Sequence, residues 1–328
     1  MAYTLDAKDR KIYYLLSENA RMSGREIGRR AGLSKTAVLN RISQMFKEGY
    51  IQKILAITNF QALGCAGFDI FLNINHSPEN EEKVIKFFEN NPNVVWSGAL
   101  SGKWDFFAQL IARDSKESKE ILSGIKKSLG KILKSYEVKE EIERLKINRK
   151  LFYHEKETGY TFVPEPLPEK PVKLDELDKR ILNFVCNVDG AAPYIEISKK
   201  AGASMETTRN RLLALVKNGV IVRYALTHGY RQHGLFLYFI FVKVKKKNKK
   251  RIEELYRYLH TNEEVKILFS SRGGEEFYFT FPTASPIEVD RLLKEIRNKF
   301  GDAIEDVDHA LITHEICLRF FPKALMKS

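Results

Sequence analysis

Apolar positions along this chain switch between two spacings, and the switch happens twice. In the first half, Ile12, Leu15 and Leu16 follow the helical period behind Asp6, which predicts a helix with Asp6 as its N-cap. A second helix is predicted from Ser23, with Glu26 completing a capping box and with Ile27 and Ala31 turned inward. Gly32 suits the left-handed position that ends it, and Ser34 then caps a third helix that runs to about Glu48 and stops at Gly49. In the second half Leu177, Ile181, Phe184 and Val185 predict the first helix of a second set, and Gly202-Ala203-Ser204 its turn.

Beyond each helical set the period drops to two. Phe68, Ile70, Leu72 and Ile74 alternate as a strand, and Val84, Ile85, Phe87 and Phe88 mark a helix face. Val94 to Leu100 and Trp104 to Ala112 predict a hairpin turning at Ser101-Gly102-Lys103. A helix with Ile121, Leu122, Ile125 and Leu129 follows, and then a strand near Tyr136 to Ile147. The second half repeats the order, with strands near Leu235 to Val244, Val265 to Ser270, Glu276 to Phe281 and Asp306 to Leu318. Its helices fall near Lys250 to His260 and Pro286 to Phe300. The order β-α-β-β-α-β is that of a ferredoxin-like unit, so the fold class is α+β.

The two halves are copies. Sliding residues 26–51 by 170 positions gives ten identities in twenty-six places without a gap, among them Ala31-Gly32 with Ala201-Gly202, Ser34 with Ser204 and Asn40-Arg41 with Asn210-Arg211. Between the copies, Pro164, Pro166, Pro168 and Pro171 alternate through Val163 to Val172, a composition that favours an extended polyproline strut. The expected division is 1–60 and 173–230 for the helical units, 61–162 and 231–328 for the ferredoxin-like units, and 163–172 for the linker.

Composition narrows the partners. The net charge of +13 and pI of about 9.4 favour polyanions. More than half of that excess lies in one stretch, Lys243 to Arg251, with seven basic residues and no acid. It reads as a solvated turn into a helix, or as a phosphate contact. Cys65, Cys186 and Cys317 are too few and too far apart for a disulfide framework or a metal knuckle. No apolar run approaches the roughly 20 residues that span a bilayer, and the N-terminus lacks a secretory h-region. The expectation is a cytoplasmic chain with no membrane partner, no cofactor and no metal.

On the third helix, Val38, Ile42 and Met45 share the inward face, which leaves Thr36, Asn40, Ser43 and Lys47 outward. With Ser34, Lys35 and Arg41 beside them, and Arg25, Arg29 and Arg30 on the preceding helix, these suit base edges and phosphates of double-stranded DNA. In the second copy Ser204, Asn210, Arg211 and Lys217 remain, but Glu206 and Leu213 replace Thr36 and Ser43, and Thr208 replaces the inward Val38. A carboxylate repels phosphate, so the second copy is expected to bind DNA more weakly or to face protein.

These residues resemble the Lrp/AsnC family of feast/famine regulators. The likeness is carried by Leu5-Asp6-x-x-Asp9-x-x-Ile12, Ala31-Gly32-Leu33-Ser34-x-x-x-Val38-x-x-Arg41-Ile42, Glu48-Gly49-Tyr50-Ile51, Leu63-Gly64 and Gly102-Lys103-Trp104-Asp105. The second copy matches at Leu174-Asp175-x-x-Asp178-x-x-Ile181, Ala201-Gly202-Ala203-Ser204, Arg211-Leu212, Asn218-Gly219-Val220-Ile221 and Gly234. The resemblance implies two tandem copies of a winged helix-turn-helix followed by a ferredoxin-like (RAM-type) sensing domain, acting in transcriptional regulation tuned by an amino acid or other small metabolite. It implies that the fused chain forms its own intramolecular pseudo-dimer, and it leaves further homo-oligomers open. By the same resemblance, Ser97, Gly98, Gly102 and Asp105 border an effector pocket, with Arg272, Gly273 and Glu276 in the corresponding place of the second copy. The alternative for Gly102 and Asp105 is a hairpin turn and its stabilising carboxylate.

Two other classes remain. Siroheme decarboxylases resemble this family and also pair two such units, but they carry a His-Asn-Tyr pattern where this chain has Val95-Trp96-Ser97 and Leu268-Phe269-Ser270. A metabolite-binding protein whose helix-turn-helices have lost DNA is the other. The seven histidines show no metal spacing apart from His309 and His314, which a strand sends to opposite faces.

Overall fold

In a computed structural model, the protein is described at residues 3–147, 170–245, 248–271 and 276–326, with backbone alone at 140–147 and 276. The first copy runs α1 (Ala7–Glu18), α2 (Gly24–Ala31), α3 (Lys35–Lys47), β1 (Ile51–Thr58), β2 (Ala66–Ile74), α4 (Pro78–Asn90), β3 (Val94–Gly102), β4 (Phe106–Ala112), α5 (Ser115–Leu129) and β5 (Leu133–Ile147). The second runs α6 (Glu176–Asn187), α7 (Tyr194–Ala201), α8 (Met205–Lys217), β6 (Ile221–His228), β7 (Phe236–Val244), α9 (Lys249–Thr261), β8 (Ile267–Ser271), β9 (Glu276–Thr283), α10 (Pro286–Phe300) and β10 (Ile304–Leu318).

Helix ends follow local chemistry. Ser34 and Ser204 accept from the backbone N–H of Ala37 and Thr207, and Gly32 and Gly202 end α2 and α7 at φ 64° and 71°. The capping box expected at Ser23 is only half formed. Ser23 accepts from the Glu26 N–H, but the Glu26 carboxylate turns to Arg29 and Arg30, at 2.7 and 2.6 Å. Complete boxes occur instead at Asp6/Asp9 and Asp175/Asp178, where each second carboxylate accepts from the first residue's N–H.

The chain divides into two units, each built from both copies. One joins the described residues up to Gly64, those from 170 to Gly234 and those from Phe320 onward. In it the wing strands β1 and β6 pair antiparallel, and the exchange goes further. Leu226 of the second copy is buried in the core formed by Ile12, Leu16, Ile27, Val38 and Met45 of the first. Two backbone bonds related by the repeat complete the joint, from Ala20 N–H to Tyr224 O (3.2 Å) and from Gly190 N–H to Ile54 O (2.7 Å). A Cβ at Gly190 would lie 2.7 Å from the Ala56 nitrogen, so glycine is what admits this approach. The C-terminal segment straps the second helical set: the Thr58 hydroxyl donates to Phe320 O, Asn187 donates to Phe321 O at 2.7 Å, and the Phe321 ring is fully buried.

In the other unit the two ferredoxin-like sheets, ordered β3-β4-β2-β5 and β8-β9-β7-β10, close on each other through β5–β8 and β10–β3 into an eight-stranded barrel. Period two assigns the faces. Phe68, Ile70 and Leu72 pack with Val84, Phe88, Ile125 and Leu129 of α4 and α5 in the first copy's core. Ile240, Val242, Phe279 and Phe281 do the same with Leu255, Leu259, Leu292 and Ile296 of α9 and α10. The alternate positions point into the barrel, where Phe71, Phe107, Phe239, Phe241, Phe269 and Tyr278 fill the interior. Among them Asp69 is buried, accepting from Gln109 Nε2 at 3.0 Å and from the Tyr278 hydroxyl of the other copy at 2.8 Å. Lys139, directly across β5 from Asp69, is buried too and donates to Glu137 at 2.8 Å.

Strand ends differ from the sequence expectation by a few residues, as at β5 and β10, which begin at Leu133 and Ile304. Residues 163–169 of the proline-rich segment lie outside the described residues. At its end Val172 N–H donates to Ala62 O at 2.8 Å.

Two substitutions test this packing. Thr208 is fully buried at the place Val38 takes in the first copy, and its hydroxyl has no hydrogen-bond partner among the described residues. Thr208→Val is expected to stabilise the protein by about 1–3 kcal/mol, read as a higher urea midpoint. Tyr278→Phe removes a donor from the buried Asp69 and is expected to cost about 1.5–3 kcal/mol in the same measurement.

Candidate nucleic-acid interface

On α3, Val38 and Met45 are buried and Ile42 is half-buried, while Thr36, Asn40, Ser43 and Lys47 are exposed together with Lys35. The helix is fixed at its base by Ser34, whose hydroxyl oxygen holds the Ala37 N–H at 3.2 Å. Arg41 sits differently from Asn40. Its Nη1 lies 2.7 Å from both Asp6 and Asp9, the pair whose carboxylates cap α1. Those hydrogen bonds raise the pKa of Arg41 and keep the guanidinium charged. The side chain read from sequence as a phosphate contact therefore ties α3 to α1 first. Arg211 repeats the arrangement, at 2.8 Å from Asp175 and 3.3 Å from Asp178.

The basic residues of α2 are also organised. Arg25 is exposed, while Arg29 and Arg30 share Glu26, whose carboxyl they pull down to about 2. Both arginines remain largely exposed, so an incoming phosphate can compete with that carboxylate. On α8, Asn210 and Lys217 are exposed, as are Glu206 and Leu213, and Ser204 spends its hydroxyl on capping. The basic stretch from Lys243 is partly committed inside the fold. Lys243 pairs with Glu305 at 2.7 Å, Lys245 donates to Gly301 O, and Arg251 grips Asp302 and Glu254; Lys246 and Lys247 lie outside the described residues.

Sequence reasoning missed Arg21. It reaches from the turn after α1 to Gly190 O and Ala192 O, both at 3.1 Å, with its guanidinium 5.1 and 5.0 Å from the rings of Tyr194 and Tyr224. The residue related to it by the repeat is Ala191, so the bolt exists on one side of the pair only. That asymmetry was the available signal. Leu39 and Phe46, 48% and 38% exposed on α3, were also missed; they stand outside the inward stripe of Val38, Ile42 and Met45.

The turn at Gly102 is tightly used by the barrel. Ser97 is fully buried on β3, and its hydroxyl has no partner among the described residues. A Cβ at Gly98 would lie 2.7 Å from His314 O, and one at Gly102 (φ 127°) 2.8 Å from His309 O, so both glycines admit β10 of the other copy. Asp105 accepts from the Ile74 N–H at 2.8 Å, at the end of β2, and lies 3.3 Å from His76 Nε2. Arg272 and Gly273 lie outside the described residues, and the Glu276 backbone lies opposite Lys243 in β9.

Comparison with known proteins agrees with the helical units. An AsnC-type helix-turn-helix domain matches residues 5–45, and a winged helix-turn-helix DNA-binding domain matches residues 174–222. An uncharacterized HTH-type transcriptional regulator of Pyrococcus abyssi is 35% identical over 116 residues, covering 34% of this chain and 71% of that protein. The transcriptional regulator AzlB of Bacillus subtilis is 30% identical over 125 residues, 37% of this chain and 79% of its own. Over the whole length, the chain is similar in fold to the siroheme decarboxylase NirDL in complex with an iron-uroporphyrin III analogue, with a TM-score of 0.65, 16% identity, and coverage of 98% of this chain and 96% of that one. At that identity the likeness shows the fold alone. With its Asp-capped first helix, its Gly-Ser turn and its exposed third helix, the chain belongs to the Lrp/AsnC family of helix-turn-helix transcriptional regulators.

Proposed function

We propose that this regulator reads double-stranded DNA chiefly through α3 of its first copy. The observation that carries the reading is the exposed set Thr36, Asn40, Ser43 and Lys47 on a helix capped by Ser34 and braced by Arg41. Asn40 and Ser43 offer donors and acceptors to base edges, while Lys35, Lys47, Arg25 and Arg29 meet phosphates. The second copy contributes through Asn210 and Lys217, beside the opposing Glu206. In this reading the helical segments expected at 1–60 and 173–230 read, and the ferredoxin-like segments expected within 61–162 and 231–328 respond to a small effector, an amino acid by family resemblance. The protein works where DNA is, in the cytoplasm, and performs no catalysis. In support of the last point, the two stretches that stand where decarboxylases carry His-Asn-Tyr hold no histidine and place Trp96 and Phe269 among aromatic neighbours, with Trp96 against Phe107 at 4.7 Å and Phe269 against Tyr278 at 4.9 Å.

Selection of the full chain against random duplex DNA is expected to enrich a discrete motif; a flat outcome sinks the reading. On the enriched site, Asn40→Ala is expected to cost about 1–3 kcal/mol and to relax preference at one position. Lys47→Ala is expected to weaken binding uniformly and to lower the salt slope by about 1. Added siroheme is expected to leave the protein without tetrapyrrole absorbance after desalting, whereas retained colour with release of CO2 would revive catalysis.

A further inference from the structure

The two recognition helices have diverged on the side next to their reading faces. Where the first copy has Arg25, Lys35 and Ser43, the second has Ile195, Met205 and Leu213, which are 51%, 54% and 52% exposed. Phe46 gives way to Val216, 45% exposed, and Thr36 to Glu206. At about 100° per residue, Met205, Val216, Arg209 and Leu213 lie within about 80° of arc on α8. Glu206 and Lys217 border that stripe within about a further 40°. Exposed apolar side chains stand at Met205 and Leu213 where the first copy has Lys35 and Ser43, and Ile195 on α7 stands where it has Arg25; such a cluster fits a protein surface better than a phosphate backbone, with Arg209, in the place of Leu39, within its stripe.

The charges at the rim say which protein. Glu206 stands in the first turn of α8 and Lys217 in its last. We propose that two copies of this chain associate through α8, packed antiparallel about a two-fold axis that crosses the helix at the level of Arg211. Under that axis Glu206 meets Lys217 of the partner subunit, and the aliphatic stem of Arg209 covers Leu213 of the partner subunit. Met205 and Val216 meet near each end of the contact. Each carboxylate then sits at a helix N-terminus and each ammonium at a C-terminus, the favourable arrangement for both dipoles. The first copy is not self-complementary in this way, because Thr36 stands opposite Lys47. With a net charge of +13 on each chain, the association is weak and reversible, in keeping with a contact smaller than about 1,200 Å². Off DNA it covers α8, so Lys217 is shared between this contact and the DNA contact proposed above, while α3 stays free to read DNA.

Analytical ultracentrifugation of the full chain is the test, from about 1 to 200 µM at physiological salt and without DNA, a Kd range typical of weak contacts. A concentration-dependent dimer is expected. Leu213→Ala with Val216→Ala is expected to raise its dissociation constant at least about tenfold with unchanged circular dichroism. Glu206→Lys and Lys217→Glu are each expected to weaken it, and the two together to restore it, because the pair re-forms with its signs exchanged. Phe46→Ala, at the matching place in the first copy, is expected to leave it unchanged. A monomer throughout that range, a dimer insensitive to the α8 substitutions, or a double charge reversal that does not rescue would each overturn the proposal. So would α8 substitutions that lower affinity for the selected DNA and leave the dimer alone, which would return the helix to DNA reading.

Discussion

An unpaired strand edge must be covered, and in this chain each copy covers the other's. A four-stranded ferredoxin-like sheet has two free edges, each presenting unpaired N–H and C=O groups, and the other copy pairs both of them as well as one edge of the wing strand. The second copy supplies β6 to β1, β8 to β5 and β10 to β3. Once those pairings exist, much else is forced. Gly98, Gly102 and Gly190 have to lack a side chain because another copy's backbone lies where a Cβ would go. Asp69 of one copy and Tyr278 of the other meet in the barrel interior, where a buried carboxylate needs donors. The halves are equivalent in sequence order, and neither is self-sufficient in hydrogen bonding.

Pairing of equal halves does not require them to stay equal, and the asymmetries fall where the pairing leaves freedom. Arg21 bolts the helical sets together on one side, and the C-terminal segment around Phe321 straps them on the other. The caps and the Arg-to-aspartate ties at Arg41 and Arg211 are retained in both copies, since they hold each recognition helix in place. The outward residues are not retained. Thr36-Asn40-Ser43-Lys47 is polar throughout, whereas Glu206-Asn210-Leu213-Lys217 carries an acid and an apolar side chain. The helix-turn-helix scaffold has been kept twice, and the wholly polar outward set once.

Family membership and whole-length fold similarity point to different precedents. The relatives that share sequence are transcriptional regulators, while the fold over the full length is similar to that of a decarboxylase. A barrel made from two ferredoxin-like sheets is a frame that tolerates either use, because function depends on what lines it. In this chain, aromatic rings closed over Asp69, Gln109 and Lys139 line the described interior, and polar side chains line α3.

The sequence by itself determined whatever depends on neighbours a few residues away. Asp6 and Ser34 as caps, Gly32 as a left-handed end, the turn at Gly202 to Ser204, and the change of period from helix to strand are local constraints that the structure follows, with element ends shifted by a few residues. The outward placement of Asn40 and Lys47 belongs with them, since helical geometry alone sets it once Val38 faces the core. Tertiary structure decided the rest. The partner Arg41 takes, the reason Gly98 and Gly102 are glycines, and which strand edges join all depend on residues 30 to more than 200 positions away. Chain topology brings these together, and no local pattern encodes them. Even the visible repeat left open whether each copy folds by itself; the unsatisfied edges of β1, β3 and β5 are the physical reason that they fold into each other.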